Sequence, residues 1–411
     1  MISTCLETRT LDVTGSHSFL VLADPWQVVL HNWALFSILT TLLLLVIVPI
    51  LILIKYIRIC LNILRDTEPP LSMTQFGFVP LIGRDKDFYA ADGIRLRGTL
   101  YRSSRSEEPR GMILFAPEFK SDRHSCARYC RPLLEAGYDI FSFDFRGHGE
   151  SAYEENYTPR QWPSDRELAD MMGAIAFAEA WLEEQGRPIE LGLFGISRGA
   201  CVSILASEGC ASVRAIVSDG VFSSDCMLEH LMKRWAKIFA KVRVVYENHP
   251  PEFWRFLRWC LFITCRFKLK CWFPSVRKAL TRMIPRPILF IHGERDSYIP
   301  VDHSRLLYAL SNQPRYLWVV AGAKHNQSVD VRPEEYARRT VQFFNRYLAR
   351  GEEADNMYND GRFEEITRRE QAAGHLPVVL AGPAQPNHAR LADHGPNVVE
   401  TGLGVSDADS N

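Results

Sequence analysis

One ten-residue stretch, from Leu191 to Ala200, limits the possible folds of this chain more than any other part of it. It reads Leu-Gly-Leu-Phe-Gly-Ile-Ser-Arg-Gly-Ala, an apolar strand pattern that passes through Gly-x-Ser-x-Gly into small residues typical of a helix. Glycines two places before and two places after Ser197 let a strand and a helix approach closely, because glycine has no Cβ atom. The stretch therefore predicts a sharp strand-to-helix turn with a serine at its tip, the geometry of a nucleophile elbow.

The rest of the chain alternates short apolar runs with helical patterns, which is the setting that such a turn needs. Asp92-Gly93 predicts a hairpin turn at the start. Buried strands are then predicted at 112–116, 138–145, 189–194, 213–218, 288–292 and 316–320, and helices at 165–185, 302–311 and 334–348. This order predicts an α/β fold, a mostly parallel sheet with helices on both faces.

Two residues downstream of the elbow could complete a site around Ser197. A serine hydroxyl needs a base to accept its proton, and the base needs a partner that holds its tautomer. The strand at 288–292 leads into a turn that delivers Asp296, and the strand at 316–320 leads into a loop that delivers His325. Because catalytic loops of parallel sheets lie at the carboxyl ends of the strands, we expect these three side chains to meet there.

Four motifs follow one another in the order and spacing of a known family. They are Asp-Phe-Arg-Gly-His-Gly-Glu-Ser at 144–151, the elbow, His-Gly-x-x-Asp-x-x-x-Pro at 292–300 and Gly-Ala-Lys-His at 322–325. With them, residues 86–349 resemble the α/β-hydrolases, most of all the bacterial esterase, lipase and serine-aminopeptidase-like branch. The resemblance implies Ser197 as nucleophile, His325 as general base and then acid, Asp296 as the residue that orients His325, and no metal or organic cofactor.

Three further residues are candidates for the same roles. Asp219 follows the predicted strand at 213–218 and is an alternative acid, but the turn around Asp296 matches the family pattern better. His148 lies in the Arg-Gly-His-Gly turn, which is mainly structural in this family, and His292 ends a strand. Neither histidine is expected to be the base.

The expected oxyanion hole departs from the family pattern. The elbow supplies one donor, the backbone N–H of Arg198. The second donor usually follows a His-Gly pair at the end of an earlier strand, where this chain has Ala116-Pro117. Because proline has no N–H, the donor is expected to be Glu118 or else Phe119. The Arg198 side chain has two interpretations, an anchor for a substrate carboxylate or phosphate and a surface salt bridge.

Residues 34–54 form an apolar run of 21 residues without a charge. A helix of that length spans about 31 Å, the thickness of a bilayer core, which predicts one transmembrane helix. A buried core helix is the alternative, and the long polar lead argues against a cleaved signal peptide. Lys55, Arg58 and Arg65 follow the run, whereas only Arg9 precedes it. This asymmetry predicts that the large C-terminal part faces the cytoplasm.

Residues 221–285 break the alternation and predict a helical cap inserted between two strands. The segment holds 12 aromatic residues and 13 Lys or Arg against 4 Asp or Glu. Two compatible interpretations are a cap packed on the core with solvated charges, and a cap that lines an apolar pocket near anionic headgroups. The predicted organisation is a short N-terminal segment at 1–33, the transmembrane helix at 34–54, a juxtamembrane linker at 55–85, the hydrolase domain at 86–349 and a disordered tail at 350–411.

These patterns predict a single-pass, membrane-anchored serine hydrolase for carboxylic esters or thioesters with an apolar acyl group. The expected partners are a small ester or lipid-like molecule and the membrane. A formal net charge of zero gives no indication of nucleic-acid binding. Two alternatives stay open, namely amide or peptide cleavage or acyl transfer to an alcohol, and a non-catalytic membrane scaffold that kept the fold.

Overall fold

The computed structural model describes residues 25–66, 79–104, 108–239 and 250–349. Its strands are β1 (Arg84–Tyr89), β2 (Arg95–Tyr101), β3 (Gly111–Ala116), β4 (Tyr138–Phe143), β5 (Leu191–Ile196), β6 (Val213–Asp219), β7 (Ile288–Gly293) and β8 (Arg315–Val320). Its helices are α1 (Pro25–Asp66), α2 (Cys126–Glu135), α3 (Asp165–Glu184), α4 (Arg198–Ser207), α5 (Ser224–Phe239), α6 (Pro251–Lys268), α7 (Val276–Arg282), α8 (Asp302–Leu310), α9 (Ser328–Val331) and α10 (Pro333–Tyr347). The predicted tail at 350–411 lies outside the described residues.

All eight described strands form one sheet in the order β1-β2-β4-β3-β5-β6-β7-β8. The first two pairings, β1 with β2 and β2 with β4, are antiparallel, and the other neighbours are parallel. The antiparallel start follows from the hairpin at Asp92-Gly93, where Gly93 has a φ of 89°. The mostly parallel sheet predicted from the sequence is confirmed.

Side chains in a strand point alternately to one face of the sheet and the other, and both faces of this sheet carry apolar side chains. Helices therefore cover both faces. On one face, Leu114 of β3 lies in the same apolar cluster as Ile175 of α3 and Ile204 of α4. On the other face, the Phe115 ring stacks on Tyr129 of α2, with 5.7 Å between ring centroids. Since strands β3 to β7 are buried on both faces, their sequences read as nearly continuous apolar runs.

The predicted cap is confirmed as a helical insertion between β6 and β7. It contains α5, α6 and α7, and residues 240–249 lie outside the described part. One face of α6 is buried through Trp254, Leu257, Leu261 and Cys265, which recur at helical spacing. These side chains join the same apolar cluster that packs on the sheet, so the cap is continuous with the core.

Helix α1 is longer than the predicted span and continues through residues 55–66. By length and composition, Asn32–Arg65 is the one described helix able to cross a membrane, and its most apolar window has a mean hydropathy of 3.0 with no burial. The helix continues past the first charge because Ile57, Cys60 and Leu64 recur at helical spacing and face the protein. Cys60 and Leu64 are buried in the core cluster, and this end of α1 packs against α6.

Candidate active site

The predicted elbow is present, with Ser197 in the turn between β5 and α4. Ser197 has φ 51° and ψ −110°, a strained conformation that persists only where the surroundings enforce it. Its backbone N–H donates to the carbonyl of Asp219 at 2.7 Å, which fixes the turn. A Cβ on Gly199 would lie 2.1 Å from the carbonyl oxygen of Ala116, and one on Gly195 would lie 2.5 Å from the backbone of Ala200. Both glycines are therefore required by close backbone approach.

The structure brings the three predicted side chains together at the carboxyl edge of the sheet. Ser197 Oγ lies 3.0 Å from Nε2 of His325, which follows β8. His325 Nδ1 lies 2.6 Å from Oδ2 of Asp296, which follows β7. A histidine that donates from Nδ1 to a carboxylate keeps Nε2 free to accept the serine proton. The three groups thus form a continuous hydrogen-bonded chain.

Asp296 is held as a carboxylate by its surroundings. Its Oδ1 accepts hydrogen bonds from the backbone N–H groups of Tyr298 and Ile299 at 2.9 and 2.8 Å. Burial acts to raise the pKa of Asp296, but the hydrogen bond and charge of His325, followed by His292 and the Ile299 N–H, hold it below its ordinary value. The sequence does not predict a role for His292. Its Nε2 contacts the Ile299 carbonyl at 2.9 Å and so braces the turn that carries Asp296.

The alternative acid and base are occupied elsewhere. The Asp219 carboxylate accepts a hydrogen bond from Tyr336 at 3.0 Å, with Ser328 at 3.5 Å, and burial raises its pKa to about 7. His148 is buried with Nδ1 at 3.1 Å from the Arg146 carbonyl. Burial, and then the charge of Arg198, lower the pKa of His148 to about 3. This histidine is therefore neutral and lies outside the hydrogen-bonded chain.

The end of β3 lies beside the elbow, as an oxyanion hole requires, because Ala116 pairs with Gly195 in the parallel ladder. Arg198 is the first residue of α4, so its N–H belongs to the group of helix donors that have no partner within the helix. Glu118 is fully buried, and in the described part of the chain both carboxylate oxygens lack a hydrogen-bond partner of standard geometry. Burial raises the pKa of Glu118 and outweighs the opposing effects of its own backbone N–H and of Arg128.

The Arg198 side chain fits neither interpretation drawn from the sequence, because it is buried. Its Nη1 donates to the Arg160 carbonyl at 3.0 Å. The guanidinium carbon lies 4.7 Å from the centre of the Phe145 ring and 5.0 Å from that of Phe119. Glu167 lies 3.6 Å away and compensates part of the charge. The side chain therefore braces the loops around the elbow instead of reaching substrate or solvent.

The motif at 144–151 has a structural role. The Asp144 carboxylate accepts hydrogen bonds from the backbone N–H groups of Arg123 and Glu150, at 2.6 and 2.9 Å. Arg146 is fully buried and forms ion pairs with three carboxylates, including that of Asp170 at 2.6 Å. These contacts fix the loop after β4 that lies beneath Arg198. Apart from Glu150, these partners lie outside the motif, so the motif alone does not reveal them.

The described ranges contain neither a metal-binding cluster nor a reactive cysteine. Within them, no group of three or more His, Cys, Asp or Glu side chains could hold a metal ion. The nine described cysteines are free, and burial raises the pKa of Cys201 and Cys265 to about 12. Such thiols stay protonated and behave as small apolar side chains.

Residues 121–339, more than half of the chain, match the model of the alpha/beta hydrolase family. The chain belongs to the α/β-hydrolase family. The matched region includes Ser197, Asp296 and His325, and the family membership supports hydrolase activity without specifying a substrate.

Relatives of this α/β-hydrolase are distant. It is 24% identical over 275 residues to the uncharacterised protein YfhR of Escherichia coli strain K12, across 65% of this chain and 82% of that protein. It is 27% identical over 207 residues to the human protein ABHD12B, across 47% of this chain and 49% of that protein. Among solved structures it is similar to the Pyrococcus furiosus esterase Pf2001, with 23% identity, a TM-score of 0.49, and coverage of 69% of this chain and 98% of that one.

Proposed function

We propose that this α/β-hydrolase is a membrane-anchored serine hydrolase that cleaves carboxylic esters or thioesters with an apolar acyl group. The observation that carries the proposal is the chain of hydrogen bonds from Ser197 through His325 to Asp296, at 3.0 and 2.6 Å. A serine with this pair of partners can be deprotonated at the moment of attack, because the imidazole takes the proton and the carboxylate stabilises the resulting imidazolium.

In the proposed reaction, Ser197 Oγ attacks the acyl carbon while its proton passes to Nε2 of His325. A tetrahedral intermediate forms, and the imidazolium gives its proton to the leaving alcohol or thiol as the bond to the acyl carbon breaks. Water then attacks the acyl-serine, and His325 again takes the proton and returns it to Ser197. Asp296 stays ionised throughout and holds His325 in position.

The negative oxygen of each intermediate needs donors that are already in place. We propose the backbone N–H groups of Arg198 and Glu118, with Phe119 as the alternative to Glu118. The N-terminus of α4 adds a partial positive charge at the same point. Removal of one such donor reduces the rate by about 10²–10³.

An apolar acyl group suits the surroundings of the site. The Tyr298 ring lies 5.3 Å from the His325 ring, measured between centroids. Val221 and Phe222 follow β6 directly and belong to the apolar cluster that also includes the buried face of α6. The apolar cluster that contains the buried face of α6 thus reaches Tyr298 beside His325, and this apolar setting supports a hydrocarbon substrate more than a charged one.

A fluorophosphonate probe tests the serine mechanism, because it reacts covalently with an activated serine. We expect the full chain to be labelled and Ser197→Ala to be unlabelled. Ser203→Ala is the matched control, since its hydroxyl is on α4 but only donates to the Gly199 carbonyl, and it should keep its label. An unlabelled wild type would favour the non-catalytic scaffold.

The substrate class and the membrane anchor of the protein are tested by separate experiments. Hydrolysis of p-nitrophenyl esters of graded chain length is compared with that of aminoacyl-nitroanilides, and a preference for the anilides would contradict the ester assignment. Alkaline carbonate extraction should leave the full chain in the membrane fraction, and its release would contradict the anchor. The basic residues after the span support a hydrolase domain on the cytoplasmic side, which protease protection in sealed vesicles tests.

A further inference from the structure

The cap helix α6 carries a second apolar stripe on the side that does not face the core. Phe256, Trp259, Ile263 and Phe267 recur every three or four residues and are exposed, Trp259 to 59% and Phe267 to 76%. The rings of Phe256 and Trp259 stack with 6.1 Å between centroids. Single exposed apolar residues are ordinary, but an aligned row of four large ones indicates a surface that something covers.

The neighbouring helix indicates what covers it. α6 packs against the end of α1, and α1 begins to be covered by protein at Leu53, beside the predicted end of the transmembrane span at Ile54. From Trp33 to Ile52 the large apolar side chains of α1 are exposed, as those of a membrane helix are. The helix that carries the exposed stripe therefore packs against the part of α1 that follows the predicted span.

The charges around the stripe fit a lipid surface. Arg255, Arg266, Lys268 and Lys270 are exposed at or beyond the same helix, and Trp272 is half-exposed just after it. Helices that lie in the plane of a membrane interface combine large apolar side chains with Lys and Arg, which attract anionic headgroups. Tryptophan is enriched at the same depth.

We propose that α6 lies in the membrane interface, with its outer stripe at the boundary between headgroups and acyl chains and its basic residues on the headgroups. The proposal rests on the anchor of the proposed function and adds a second contact with the same bilayer. Because the opposite face of α6 belongs to the apolar cluster that reaches Phe222 and Tyr298, this one helix connects the lipid surface to the surroundings of the catalytic serine.

Photolabelling of the full chain in liposomes tests this placement. The vesicles contain phosphatidylcholine, phosphatidylserine and a phosphatidylcholine whose acyl chain carries a diazirine, and adducts are located by mass spectrometry after digestion. We expect adducts on α1 and on the Phe256–Phe267 stripe. Ile189 is the internal control, because it is 42% exposed but lies before the amino end of β5, outside α1 and α6, and it should carry no adduct.

The outcomes distinguish the interfacial position of α6 from the transmembrane anchoring by α1. Adducts on α1 without adducts on α6 would overturn the interfacial helix and leave the anchor standing, whereas adducts on neither helix would overturn both. Cross-links from α6 to a second copy would also overturn the inference, since the stripe would then be a protein interface. Trp259→Gln with Phe267→Gln should lose the α6 adducts and keep both the α1 adducts and fluorophosphonate labelling, whereas Ile189→Gln should change none of them.

Discussion

Replacement of Asp219 by Asn should stabilise the protein at neutral pH and leave its activity in place. The Asp219 carboxyl is buried at the end of β6, and this burial raises its pKa from 3.8 to about 7, against the hydrogen bond from Tyr336. An acid with a raised pKa holds a proton in the folded state that it loses in the unfolded state. Its contribution to stability is therefore greatest at acid pH and declines as the pH rises from 3.8 towards 7.

The size of the effect follows from the pKa. At about 1.4 kcal/mol per pKa unit, a rise from 3.8 to about 7 corresponds to ~4 kcal/mol of lost stability once the pH is above both values. Asparagine keeps the shape of the side chain and an oxygen that can accept from Tyr336, but it does not titrate. The free energy of unfolding of Asp219→Asn, relative to wild type, should therefore increase by ~4 kcal/mol between pH 4 and pH 8.

Urea denaturation of both proteins in the same detergent, followed by tryptophan fluorescence at several pH values, measures this difference. Fluorophosphonate labelling of the variant is the second readout, since the carbonyl of Asp219 that holds the Ser197 N–H is unchanged by the substitution. A stability difference between the two proteins that is constant with pH would refute the raised pKa of Asp219. A folded variant that no longer labels would show instead that Asp219 is the acid partner of His325.

Three other substitutions test the site from different sides. Asp296→Asn should fold normally but reduce kcat by about 10⁴, because His325 loses the tautomer that accepts the serine proton, and steady-state ester hydrolysis measures this. Gly199→Ala should lose activity and at least about 1–3 kcal/mol of stability, because the new Cβ would lie 2.1 Å from the Ala116 carbonyl oxygen. Gly209→Ala is the control, since its Cβ would meet nothing within 4 Å, and it should be neutral in the same urea denaturation. With the Glu118 N–H as the second oxyanion donor, Glu118→Pro should reduce kcat by about 10²–10³, whereas Glu118→Ala should keep most of the activity. Equal rates for the two variants, with unchanged denaturation midpoints, would assign the donor role to Phe119.

Much of the architecture was predictable from local patterns. The strands are short apolar runs bounded by turn residues, and the glycines around Ser197 have no alternative that avoids a backbone clash. α3 begins with a capping box, in which Ser164 accepts from the Arg166 N–H and Glu167 accepts from the Ser164 N–H. These features depend on a few neighbouring residues, so they can be predicted from short stretches of the sequence.

Features that depend on distant residues were not predictable. The buried Arg198 guanidinium lies between Phe119 and Phe145, which belong to separate loops, so its environment exists only in the folded chain. The pKa of Asp219 is raised by burial that the sequence does not show. The end of α1 is a different case, since Ile57, Cys60 and Leu64 carry a readable helical pattern, but the charge at Lys55 ends a prediction that is based on hydropathy alone.

The unbroken course of α1 has a kinetic consequence under the proposed function. Residues 55–66 extend the helix by about 18 Å beyond the predicted span, and the end of this stretch is packed into the cap. A catalytic domain mounted on such a stalk keeps a set height and tilt over one leaflet, so it acts in cis, on molecules dissolved in its own bilayer. Its rate should then follow the mole fraction of substrate among the surrounding lipids, a two-dimensional concentration, and stay constant when more substrate-free vesicles are added.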